Sequence, residues 1–339
     1  MGIQPSATVA GPLAWQKEMQ AAFRTLGSLL IYLGLDPDAA PEALAADPAF
    51  PLLVPRPFAA RMANGDWTDP LLAQVLPRAR EAAEVAGFAA DAVGDLPAQI
   101  VPGVLHKYAS RALLMVSHQC AVHCRYCFRR EFPYGDLPRG RDDWDKAWDY
   151  LADAEGVDEI VFSGGDPLFL DNRKLASLLE RAASLPRIRT VRFHTRIPVV
   201  LPSRLESDLL DLLRTVASRQ TLVVVIHANH ARELGPDCDA ALAALRATGA
   251  VLLNQAVLLR GVNDDAETLA DLSRALIARG VLPYYLHQLD RVQGTAHFEV
   301  AEAQGRLLIE DLRGELPGYA VPRYVREVAG ERSKTPLAG

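Results

Sequence analysis

The sequence predicts an α/β protein: a partial (β/α)6 barrel preceded by an N-terminal helical extension. From residue 111 onward, short apolar runs of strand length recur about 30 residues apart. The stretches between them are longer and amphipathic or Ala/Leu-rich, as crossover helices are. The first third has neither rhythm and is punctuated by prolines. Six strand–helix units fall short of the eight of a closed barrel, so the sheet is expected to stay open, with functional residues just after the strands.

Residues 13–34 place Met19, Phe23, Leu26, Leu30 and Leu33 at helical spacing on one face. Pro37, Pro41, Pro51, Pro55, Pro57 and Pro70 break the next segment into short helices and turns, and a helical pattern follows over roughly 70–88. The expected strands are ALLMV (112–116), EIVFS (159–163), TVRFH (190–194), TLVVVI (221–226), AVLLN (250–254) and LPYYLH (282–287). RKLASLLERAAS (173–184), ALAALRATG (241–249) and AETLADLSRALIARG (266–280) are expected helices between them. This divides the chain into a helical extension (1–104), the partial barrel (105–315) and a C-terminal segment (316–339).

Half of the residues are apolar and the net charge is -6, which argues against a general nucleic-acid or anionic-membrane binder. No apolar run approaches the roughly 18 residues of a membrane span, and the N-terminus lacks the layout of a signal peptide. MGIQPS formally fits a myristoylation pattern that short, loose motifs match by chance. Four cysteines, three of them clumped, are no disulfide framework; they point to a reducing, cytoplasmic setting and a metal or redox role.

The clump is Cys120-x3-Cys124-x2-Cys127, directly after the first barrel strand. Three thiolates on a tight loop can hold three irons of a 4Fe–4S cluster and leave the fourth iron open. A zinc site completed by His118 or His123 is the competing reading. FSGGDPL (162–168) closes the second strand with two glycines, through which backbone can pass close to a ligand or simply turn. His227 and His230 follow the fourth strand with no assignable chemistry, and Cys238 reads as a small helix or core residue.

Together these motifs resemble the radical S-adenosylmethionine (SAM) enzymes, and over residues 105–337 the chain is similar to their lysine 2,3-aminomutase family. The resemblance implies a radical SAM barrel with a 4Fe–4S cluster on Cys120, Cys124 and Cys127, and an isomerase moving an amino group within lysine. It implies that Gly164, Gly165 and Asp166 meet the SAM amino end. HTRIP (194–198) and LLNQAVLLRGVND (252–264) resemble segments lining the SAM site and implicate His194 and Gln255. LHKYASRALL (105–114) resembles the segment that holds the phosphate of pyridoxal 5′-phosphate (PLP), through Lys107, Tyr108 and Arg111. ERSKTPL (331–337) resembles the motif of the PLP lysine, here Lys334.

Arg129 matches the residue that grips the substrate carboxylate, while Asp290 and Glu327 match the acids that select its far ammonium. The loop CAVHCRYCFRREFPYGD, the helical extension and a chain that stops five residues after Lys334 look closest to the branch of the family serving β-lysylation of elongation factor P. That branch turns L-α-lysine into (R)-β-lysine, draws electrons from a donor such as flavodoxin or ferredoxin, and passes its product to a separate lysyl ligase. A catabolic 2,3-aminomutase of free lysine or a related amino acid such as glutamate, and a metal-stabilised binding module without catalysis, are the alternatives.

Overall fold

The structure, a computed structural model, describes residues 13–138, 140 and 142–338; the MGIQPS segment lies outside them. Ten strands form one sheet in sequence order: β1 (Gln99–Val101), β2 (Val104–Tyr108), β3 (Arg111–Ser117), β4 (Glu159–Gly164), β5 (Thr190–Thr195), β6 (Thr221–Ile226), β7 (Val251–Val257), β8 (Leu282–His287), β9 (Arg323–Arg326) and β10 (Thr335–Pro336). β3 through β9 run parallel. The hairpins β1–β2–β3 and β9–β10 add antiparallel edges. The six strands expected from the apolar runs are β3 to β8. Because β1 and β10 do not pair, the sheet is an open, partial barrel.

The period-2 alternation of the strands builds both the core and the site. Leu114, Phe162, Phe193, Val224 and Leu252 share one register row. All are buried, in one apolar cluster with Leu175 and Leu179 of the helix Asn172–Ala183 and Leu209 and Leu213 of the helix Ser207–Ala217. Phe162 and Phe193 stack at 5.2 Å. Ser163, His194, Gln255 and His287 instead line a cavity inside the sheet's curve.

The first third differs from expectation. The stretch 13–34 is two helices, α1 (Ala14–Gln20) and α2 (Leu26–Leu33), because Thr25 caps the second by accepting from Ser28 N–H at 3.4 Å. Over 70–88 there is no long helix. Asp69 caps a single turn, Pro70–Ala73, and a 3-10 turn follows at Ala79–Ala82, beyond Pro77, which has no N–H to continue the ladder. Ahead of residue 105, Pro102-Gly103 turns the chain into the β1–β2 hairpin, with Gly103 at φ +84°. Among the described residues no helix is long and apolar enough to cross a membrane.

Candidate functional site

The cavity holds about 280 Å³ within a wider solvent-open cleft of about 1700 Å³. Every residue given a cluster, cofactor or substrate role by the family resemblance, cysteine triad through Lys334, lines it. His227 lines it too; His230 lies outside, capping the 3-10 turn Ala231–Glu233. Cys238 is buried in the helix Pro236–Arg246, its thiol against the carbonyls of Val199 and Glu233.

At one end sits the loop after β3. None of its cysteines is disulfide-bonded. Burial, reinforced by the neighbouring thiols, pushes the Cys120 thiol well above its usual range and Cys127 up to about 11. The helical extension clamps the loop. His123 N–H donates to Leu53 O at 2.9 Å and Arg125 N–H to Gln74 O at 2.8 Å. The Arg125 guanidinium, fully buried, donates to Glu81 at 2.9 and 3.1 Å and to Phe50 O at 2.7 Å. Arg130 joins Glu81 at 3.1 Å.

This arrangement separates the two metal readings. The His123 ring is turned away to the Pro51 carbonyl, 2.8 Å off, and stacks on Phe50, while His118 is exposed. Among the described residues no three His, Cys, Asp or Glu side chains converge on a single ion. Three thiols lining one open cavity suit three corners of a 4Fe–4S cluster, with the fourth corner left to the cavity.

The Gly164-Gly165 turn runs against the protein itself. A Cβ on Gly164, at φ +120°, would come within 2.3 Å of Ser117 O, and one on Gly165 within 2.4 Å of Gln119 O. Gly165 N–H donates to Ser117 O at 2.6 Å. The glycines therefore weld the cluster loop to β4 before any ligand enters. The buried Asp166 carboxylate is spoken for, accepting from Leu168 N–H (3.0 Å), Thr195 O–H (2.7 Å) and Arg196 N–H (2.7 Å). Burial still lifts its carboxyl to about 6, against those hydrogen bonds. The Asp166 N–H is taken as well, by Gln119 O at 2.7 Å, so what the turn offers a ligand is carbonyl oxygen.

The other end is a charge relay. Lys334 Nζ donates to Glu327 at 2.5 Å, and Tyr108 O–H donates to the other oxygen of that carboxylate at 2.6 Å. Burial acts to raise the Glu327 carboxyl, but Lys334, Tyr108 and Lys107 outweigh it and hold it low. Arg111 packs over the Tyr108 ring at 4.2 Å. Arg129 Nε donates to Asp95 at 2.7 Å and Nη1 to Ser163 at 3.2 Å, while Lys107 Nζ lies 2.6 Å from Asp95's other oxygen. Asp290 differs from the other acids: among the described residues no hydrogen bond or ion pair reaches its carboxylate. His194 and His287 face the cavity and are kept neutral, by burial first and nearby cations second.

Sequence reasoning missed Asp95, Tyr126 and Arg196. Arg196 stands inside the HTRIP motif, two residues past the selected His194, and donates to the Cys124 sulfur at 2.7 Å. Tyr126 O–H meets His227 Nε2 at 2.7 Å from inside the cysteine loop. Asp95 carried no local signal.

Fold and site together define a cluster-binding α/β enzyme in which three thiols and a lysine line one cavity. A family model described as a 4Fe-4S single cluster domain matches residues 109–195. The L-lysine 2,3-aminomutase of Escherichia coli is 46% identical over 308 residues, 89% of each chain, and that of Haemophilus influenzae 40% over 321 residues, 95% of this chain and 94% of its own. The chain belongs to the radical SAM lysine 2,3-aminomutase family of isomerases. The L-lysine 2,3-aminomutase of Clostridium subterminale is 34% identical over 80% of this chain and 65% of its own. A solved radical SAM methyltransferase from Sphaerobacter thermophilus aligns at TM-score 0.42 and 22% identity, over 67% of this chain and 71% of that one.

Proposed function

We propose that the chain uses SAM and PLP beside its cluster to convert L-α-lysine into (R)-β-lysine, and that the product serves modification of elongation factor P in the cytoplasm. One observation carries the reading. A single cavity puts three thiols at one wall and, at the other, a lysine flanked by an unpaired carboxylate and a fixed guanidinium. Cys120, Cys124 and Cys127 would hold the cluster; the Gly164–Gly165 backbone, His194 and Gln255 would hold SAM; Lys107, Tyr108 and Arg111 would receive the PLP phosphate and Lys334 its carbonyl carbon. When bound, cluster and SAM supply a carbon radical and PLP the group that carries the migrating nitrogen.

The chain's own work is electrostatic and geometric. Lys334 must give up a proton to react, and Glu327, 2.5 Å away and held ionised, orients its ammonium without being the acceptor of that proton. Arg129, oriented by Asp95 and Ser163, offers a guanidinium edge to the substrate carboxylate. Asp290 and Glu327 then face the ε-ammonium, a layout that repels an acidic side chain. His194 and His287, kept neutral, add no positive charge to the cavity wall. The elongation factor P assignment is supported by the wording of the cysteine loop and by the helical extension ahead of it.

The test is anaerobic incubation of the reconstituted protein with SAM, PLP, a low-potential reductant and L-lysine, with chiral detection of β-lysine. (R)-β-Lysine is expected, and its transfer by an elongation factor P lysyl ligase should add the corresponding mass to the factor. No β-amino acid refutes the activity. β-Lysine that the ligase ignores refutes the pathway and favours a catabolic mutase.

A further inference from the structure

A buried guanidinium touches one of the cluster thiols. Arg196 follows β5, is 6% exposed, and donates from Nη1 to the Cys124 sulfur at 2.7 Å. Its Nη2 donates to Gln74 Oε1 at 2.7 Å and to Glu233 Oε2 at 2.8 Å; its Nε is buried with no hydrogen-bond partner among the described residues. Glu233, fully buried, is in turn fixed by Gln74 Nε2 (3.0 Å), Asn229 N–H (2.8 Å) and His230 N–H (3.1 Å). The rings of Phe58 and Tyr126 cover the guanidinium at 5.1 and 5.8 Å. The helical extension, the β5 loop and the β6 loop thus all contribute to holding one positive charge beside one sulfur, away from water.

We propose that Arg196 tunes the cluster: its fixed charge on the Cys124 sulfur raises the reduction potential of the 4Fe–4S centre, and Glu233 is the counter-charge that limits the rise. This rests on the reading that Cys120, Cys124 and Cys127 hold the cluster. Reduction adds one electron, taken from an external low-potential one-electron donor, and changes no bond or proton at these residues. The added negative charge spreads onto the cluster sulfurs, so a nearby cation stabilises the reduced state more than the oxidised one. The anion of Glu233 acts in the opposite sense from the far side of the guanidinium. A surface arginine would be screened to little effect; this one is dry and cannot swing away.

Wild type, R196Q, R196K and E233Q are reconstituted anaerobically without SAM, so that any part Arg196 plays in holding SAM drops out. Iron and sulfide are counted, and midpoints are read by redox titration followed by electron paramagnetic resonance. R196Q is expected to reduce at least tenfold less favourably, about 59 mV lower for one electron, and R196K to recover part of the loss. E233Q is expected to move the other way. Loosened structure would shift both variants in one direction, so opposite shifts identify charge. A fully loaded R196Q at the wild-type midpoint overturns the proposal. If R196Q takes up no cluster, E233Q decides: a rise supports the tuning and its absence overturns it. A wild type that binds no 4Fe–4S cluster overturns the cluster reading itself.

Discussion

Burial pushes the Asp290 carboxyl up to about 7, although the charge on Lys334 pulls it down. An ammonium ligand needs the ionised form, so kcat/KM for lysine should fall as pH drops through about 7. Asp290→Asn should erase that limb and cost roughly 10- to 100-fold in kcat/KM, by loss of one charge-assisted contact; an unchanged profile would remove Asp290 from substrate binding. The same burial acts on stability with a definite sign. The unfolded carboxyl titrates near 3.9, so between about 4 and 7 the folded chain keeps a proton that the unfolded chain has lost. Stability therefore declines as pH rises across that window and stays reduced above it. Asp290→Asn should melt higher than wild type at pH 8, by on the order of 1 kcal/mol after screening in the open cleft, with no gain at pH 4. Asp290 was legible in the sequence because it stands in a motif just after a strand. Asp95 was not: its meaning comes from Arg129 and Lys107, brought to it by the fold and not by spacing.

Strands announced themselves and the extension did not, for a physical reason. Each parallel strand buries one face in the apolar core, so the apolar runs of β3 to β8 stand out against their surroundings even where β5, β7 and β8 turn polar residues to the cavity. β9, RYVR, is a short strand with charged ends and reads as a tail segment. Residues 35–98 form short turns fixed by long-range contacts, many of them to the cysteine loop, and nothing local encodes those. Glu81 is the clearest case. It stands in a 3-10 turn and serves as the carboxylate partner of two buried arginines, Arg125 and Arg130, with side chains 0% and 5% exposed. Glu81→Gln would leave Arg125 without a carboxylate and Arg130 with only the half-exposed Glu131 at 3.6 Å, at about 3 kcal/mol for a broken buried pair. The cost should fall on the loop they anchor. After anaerobic gel filtration the variant should retain less iron per chain than wild type and lose it faster in air. Equal retention would mean that the extension does not preorganise the cluster loop.

An open sheet leaves a gap between its two ends, and in this molecule the gap is closed by side chains. The loop before β1 abuts the segment after β9, where a Cβ on Gly94 would come within 2.8 Å of the Ala329 Cβ. Asp95, Lys107, Glu327 and Lys334 then run across the gap as alternating charges, at 2.6 Å for Lys107–Asp95, 3.8 Å for Lys107–Glu327 and 2.5 Å for Lys334–Glu327. Such a seam is weak while it is only ion pairs in a wet cleft. PLP, with its phosphate on Lys107 and Arg111 and its carbonyl carbon joined to Lys334, would tie β2 and β3 to the segment carrying β10. Ligand that binds only the folded state adds RT ln(1 + [L]/Kd), about 2.7 kcal/mol at a hundredfold excess, so PLP should raise the Tm of the whole chain by several degrees. Lys334→Ala cannot make the covalent tie. Its Tm should respond to PLP much less, and borohydride should fix no label in it, whereas wild type should yield a single labelled peptide containing Lys334. Label at another lysine, or an equal Tm rise in Lys334→Ala, would show that the two ends of the sheet are not joined through this residue.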